Sequence, residues 1–140
     1  GDGPDYHADH AAWAARQPQP LTPKEVLARD LNQWWMDTAH EEAVAVVDKA
    51  VEYGANSMTE LGHEIAKLAG RQITDQQAIE LACYFYIKGK MGRWSDSIIA
   101  GRPVSDDTLG DIGVYVRMAR RVRSHGGWPG VPNDCKEQGA

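Results

Sequence analysis

The chain has 140 residues, 42% hydrophobic and 25% charged, which fits one soluble globular domain and excludes two independently cored ones. Its formal charge of -5 argues against a dedicated polyanion binder, although a local basic patch can still oppose that average. Cys83 and Cys135 lie far apart without metal-ligand spacing, which excludes a disulfide framework and a thiolate zinc site.

Residues 1–22 are rich in Gly, Pro, Gln, Asp and His around one short apolar patch at Trp13, and are expected to form a flexible arm. Within it "RQPQPLTP" (16–23) reads as an extended linker, because each proline disfavours helix at itself and at the residue before. His7 and His10, flanked by Asp5 and Asp9, have the spacing of metal ligands. Nothing around them is rigid enough to fix a ligand set, so a solvated arm is the simpler reading.

A helical domain is expected over 23–128, followed by a tail over 129–140. "TPKE" sets Thr22 as N-cap, Pro23 at the first helical position and Glu25 as the capping-box carboxylate. The pattern then runs to Tyr53 and Gly54, but "TAHE" (38–41) offers a second capping box and predicts a break near Asp37. "SMTE" (57–60) opens a short helix ending at Gly70, and "TDQQ" (74–77) opens one reaching about Ala100. "SDDT" (105–108) opens the last, which stops at Gly126-Gly127, with Trp128 packing back onto the helices. No alternating strand pattern occurs, so the fold is expected to be all-α, a bundle of four to five helices.

The helix after "TDQQ" is apolar on most sides from Ile79 to Ile87, the mark of a central helix. Gly89 and Gly92 then mark either a close helix approach or a bend, beside Lys88, Lys90 and Arg93. In the last helix a dipole cap explains Asp106 and Asp107. Asp111 lies one turn further on, on the same side as Asp107, so the pair repels unless a cation sits between them. The stripe Leu109, Ile112, Val116 and Ala119 is expected to face the core. Glu80 is expected to be exposed near its helix start. "RMARRVR" (117–123) holds four of the nine arginines, which suit a helix C-terminus or a phosphate.

Four segments in this order carry a family likeness: "KAVEYGANSMTELGHEIAKLAG", "ELACYFYIKGKMGRW", "SDDT" and "DIGVYVRMARR". With Tyr53-Gly54, Ile73-Thr74, Lys90-x-x-Arg93, Asp107-x-x-x-Asp111 and Tyr115, they resemble small phage-encoded proteins of the MazG-like superfamily of all-α nucleotide pyrophosphohydrolases, over roughly residues 40–123. The resemblance implies a helical bundle, commonly a homo-oligomer, that binds Mg²⁺ (or Mn²⁺) and cleaves a nucleoside triphosphate to monophosphate and pyrophosphate. It implies metal-binding and catalytic roles for Asp107, Asp111 and Glu42, with Glu41 as a further ligand, and substrate contacts from Lys90, Arg93 and Tyr115. The chain departs from the superfamily's Glu-Glu-x-x-Glu run by having Ala45 in the third position. The alternative is an inert descendant of the fold that binds a nucleotide, a nucleic acid or a host protein, nucleic acid being the less favoured partner. No apolar run nears the ~18 residues of a membrane span. No signal-peptide pattern opens the chain. The two isolated cysteines point to a reducing cytosol as the expected compartment, that of the host for a phage protein.

Overall fold

A computed structural model describes residues 6–129. Asp5, Cys135, the tail from 130 and the side chain of His7 lie outside the described residues. Five helices follow in order: α1 (Tyr6–Arg16), α2 (Pro23–Tyr53), α3 (Asn56–Leu68), α4 (Asp75–Ile99) and α5 (Asp106–His125). No strand occurs among the described residues, and the fold is all-α.

The chain divides into two compact units, 1–39 and 40–140. In the first, the alanine-rich segment read as an arm is helical as α1, with His10 stacked on Trp13 at 5.7 Å between ring centroids. Residues 18–22 remain non-helical, as the prolines dictate. The Thr22 capping box forms in both directions, Glu25 N–H donating to Thr22 Oγ1 and Thr22 N–H to Glu25 Oε1, each at 3.2 Å. The break predicted near Asp37 is absent, and α2 is continuous. Thr38 does not cap a new helix. Its hydroxyl donates backwards to the Trp34 and Trp35 carbonyls at 3.0 and 3.1 Å, a bond that a helix interior accommodates.

In the second unit α4 is central as predicted, with α3 and α5 both packed against it. Thr74 makes a capping box with Gln77, and Ser105 accepts from Thr108 N–H, so both expected starts hold. α3 differs: it starts at Asn56 behind Ala55, and no side chain caps it. Gly126 closes α5 in the left-handed conformation, φ 77°, where a side chain would be strained.

The α3–α4 contact is backbone against backbone. A Cβ placed on Gly62 would stand 2.0 Å from the Ala78 carbonyl oxygen, so only glycine fits. Ala66, Ala78 and Ala82 continue this seam of small residues, all buried. The sequence had assigned close approach or a bend to Gly89 and Gly92. A Cβ on either meets nothing within 4 Å, and α4 runs straight through both positions as helix.

On the other side of α4, Ile79 and Cys83 join Met118 and Val122 of α5, with Ala55 completing the cluster and Tyr115, Ala119 and Trp128 against it. Of the stripe that the sequence singled out on α5, Ala119 packs against this cluster, whereas Leu109 and Val116 do not. Leu109 and Val116 are 39% and 47% exposed, because α4 packs on the neighbouring sector of the helix. Cys83 is buried at this contact, and burial, helped by the charge of Glu80, pushes its thiol up to about 11.

Two tests follow from this packing. Gly62→Ala should cost at least about 3 kcal/mol, since the backbones must separate. Gly89→Ala should stabilise by up to about 1 kcal/mol through helix propensity. Urea denaturation of both variants checks the contrast. The Cys83 thiol stays protonated in the fold to about pH 11, whereas an unfolded cysteine ionises from about pH 8.5. The unfolded state thus sheds its proton first, and stability should fall between those values by at most about 1.4 kcal/mol per pH unit. Cys83→Ala should flatten that slope, whatever its effect on stability at neutral pH.

Candidate functional site: the α4–α5 ladder

Helices α4 and α5 are joined by a short connection and run antiparallel, so each step up α4 is matched by a step back along α5. Three rungs are made. Arg123 grips Glu80 with two guanidinium nitrogens, Nε–Oε2 at 3.2 Å being the longer bond. Glu80, which the sequence placed in solvent, is thus a paired carboxylate, and the pairing holds the Arg123 guanidinium above its ordinary pKa. Next, Tyr86 stacks on Tyr115 with centroids 5.4 Å apart and planes 12° from parallel. Burial foremost raises the Tyr115 hydroxyl pKa; Lys90 opposes the rise and Asp111 adds to it. Third, Lys90 Nζ donates to Asp111 Oδ2 at 2.8 Å.

The next rung is open. The same register sets Arg93 level with Asp107, yet neither joins an ion pair among the described residues. Arg93 also lines a groove of about 700 Å³, together with Ile65, Phe85, Lys88, Gly89 and Gly92. The two glycines leave α4 without side chains there, which is what opens the groove. Lys88, at its edge, likewise makes no ion pair among the described residues.

The remaining acidic candidates sit apart from this rung. Glu42 accepts from Arg117 Nε at 3.0 Å, tying the second half of α2 to α5, and its other oxygen lies 4.0 Å from where a Gly113 Cβ would stand. Glu41 is exposed on α2. Among the described residues no three His, Cys, Asp or Glu side chains are grouped closely enough to hold a metal. The donors therefore do not fit a resident all-protein cage. Asp107 and Asp111 lie one turn apart on α5, and Asp111 is already paired with Lys90.

The sequence named Lys90, Arg93, Asp107, Asp111 and Tyr115, of which the structure bonds Lys90 to Asp111 and sets Tyr115 beside that pair, while Arg93 and Asp107 join no ion pair among the described residues. It missed Tyr86, whose place in an apolar run gave no sign of the stack. It also missed the Glu80–Arg123 and Glu42–Arg117 pairs, which join residues 43 and 75 positions apart.

The Lys90 side chain is 16% exposed and that of Asp111 52%, so the ammonium is the less solvated partner. Asp111→Asn, which leaves that cation without its partner, should therefore cost about 2 kcal/mol. Lys90→Met, which leaves a half-solvated carboxylate, should cost under about 1 kcal/mol. Equal losses in denaturant melts would show that the bridge is effectively a surface pair.

No protein-family model, curated protein or solved structure matches the chain.

Proposed function

We propose that the protein is a Mg²⁺-dependent nucleoside triphosphate pyrophosphohydrolase, acting on an NTP or dNTP to give the monophosphate and pyrophosphate. The observation that carries this reading is the open rung. Arg93 and Asp107, neither of which joins an ion pair among the described residues, stand on facing helices beside a made Lys–Asp pair and an aromatic groove. An unpaired Arg there gives a phosphate a planar fork, and an unpaired Asp is free to take a cation.

In this reading the ring of Phe85 and the bare helix at Gly89 and Gly92 receive the base, and Arg93 clamps the phosphate chain. Lys90 holds Asp111 in position while the site is empty. When the phosphates arrive it exchanges the carboxylate for a phosphate oxygen, so that no charge in the site is left alone. Mg²⁺, held by Asp107 and Asp111 with water and phosphate, would supply charge neutralisation and an acidified water. Tyr115, stacked on Tyr86, packs the floor beside Asp111. Glu42 and Glu41 stand further along α2 and would act from there. A homo-oligomer and a cytoplasmic setting belong to the same reading. No helix among the described residues is long and apolar enough to cross a membrane.

One observation favours a second reading, a fold that binds a nucleotide without cleaving it. Glu42 is occupied by Arg117, and among the described residues no third carboxylate joins Asp107 and Asp111. A single panel separates the two. The pure protein is incubated with ribo- and deoxyribonucleoside triphosphates and Mg²⁺, and pyrophosphate release is measured beside the shift in melting temperature. The hydrolase reading expects release from at least one triphosphate, lost in Asp111→Asn and falling at least about tenfold in Arg93→Ala. A melting shift without release supports the binder. Neither release nor shift rejects both.

A further inference from the structure

The groove on α4 and the ladder beside it treat a phosphate and a metal ion differently. The charged residues that line the groove are Lys88, Lys90 and Arg93, all cations, and no carboxylate lines it. They follow an apolar stretch on the same helix, Leu81, Tyr84 and Phe85, so the groove passes from apolar to basic along its length. From Phe85 to Arg93 the helix rises about 12 Å. That gradient suits a molecule with an aromatic body and a chain of anionic groups. The carboxylates proposed for a metal are differently placed. Asp111 accepts from Lys90 Nζ at 2.8 Å, and Glu42 from Arg117 Nε at 3.0 Å. Lys90 is common to both settings, since it lines the groove and also holds Asp111.

We infer that Lys90 is a latch that makes the site anion-first: the groove binds the phosphate chain without a metal ion, and Asp111 is open to a divalent cation only after the phosphate has drawn Lys90 away. The identity of the anion as a nucleoside triphosphate rests on the reading above. The order of entry rests on the charges and exposures of the two partners. Lys90 is largely covered and Asp111 half exposed, at 16% and 52% of their side chains. A released Asp111 is therefore hydrated at little cost, whereas a released Lys90 needs a new anionic partner. A phosphate oxygen in the groove supplies that partner, so an anion can open the pair. A free Mg²⁺ ion cannot. By taking Asp111 it would strand the ammonium and place two more positive charges beside a groove whose charges are all positive. The coupling is reciprocal: an anion that frees Asp111 raises the affinity for the cation, and a cation on Asp111 raises the affinity for the anion. Lys90 is the positioning residue through which the two ligands sense each other.

The test is the melting temperature of the full-length protein with Mg²⁺ or Mn²⁺ alone, with each nucleoside triphosphate in EDTA, and with both together, beside calorimetric affinities. The wild type should be indifferent to either cation alone at millimolar concentration. At least one triphosphate in EDTA should stabilise it, since a ligand that binds only the folded state raises the melting temperature. Lys90→Met should reverse both responses. Either cation alone should now raise the melting temperature, and affinity for the triphosphate in EDTA should fall at least about tenfold. Lys90→Gln should behave in the same way and serves if Lys90→Met does not fold. A wild type stabilised by the free cation, or by a triphosphate only when the cation is present, overturns the latch and leaves the hydrolase reading standing. So does a Lys90 variant that stays indifferent to both cations. Failure of every triphosphate to stabilise the wild type, with or without the cation, overturns the nucleotide reading and the latch with it.

Discussion

Everything in the second unit is positioned by one steric constraint, the absence of a side chain at Gly62. Because nothing projects from that position, the α3 backbone can rest on the Ala78 carbonyl, and α4 is fixed at a distance that alanines alone can bridge. Small residues on that side leave the large ones, Ile79 and Cys83, for the contact with α5. Division of labour around α4 follows: backbone proximity on one side, side-chain interlocking on the other. Dispersion is strongest where atoms are densest, so the small-residue seam contributes stability although it buries little side-chain area.

Polar contacts then set how α5 is aligned on α4. A helix packed by apolar residues alone can slide by a turn at modest cost. Paired groups at Glu80–Arg123, Tyr86–Tyr115 and Lys90–Asp111 each have one correct partner, and a slip of one turn would break all three. Register is thus specified by charge and ring geometry, while affinity between the helices comes from the core. The same alignment brings Arg93 level with Asp107. The feature with functional promise is a by-product of rungs that are structural.

What the sequence made legible divides along physical lines. Capping residues act on backbone groups three positions away, so Thr22, Thr74 and Ser105 were readable without tertiary knowledge. Thr38 fits the same local pattern and misled, because a hydroxyl can donate to the preceding turn as easily as accept from the following one. Apolar periodicity revealed the central helix but not which sector of α5 would meet it. Leu109–Ile112–Val116 and Tyr115–Met118–Val122 are adjacent stripes, and only the partner chooses between them. The acidic pair on α5 and the basic pair on α4 were visible as spacings. Whether they would pair with each other or await a phosphate stayed open, since it depends on where the 100–105 connection lets the chain turn; the structure pairs Lys90 with Asp111. Gly62 looked like any helix glycine, and its role depends on a neighbour sixteen residues away.

The dominant packing of the second unit joins only helices that follow one another in the chain, α3 with α4 and α4 with α5. Such a pattern has consequences in time as well as in space. Loops that must close before contacts form are short, so the entropic barrier to the first native contacts is low. Each helix can dock on its predecessor as soon as both exist, without waiting for a distant segment. A chain emerging from a ribosome would meet its partners in the order they are made, and the α3–α4 hairpin could form before α5 has been synthesised. Folding of this kind runs on the fast end of the scale for domains of this size, microseconds to milliseconds rather than seconds.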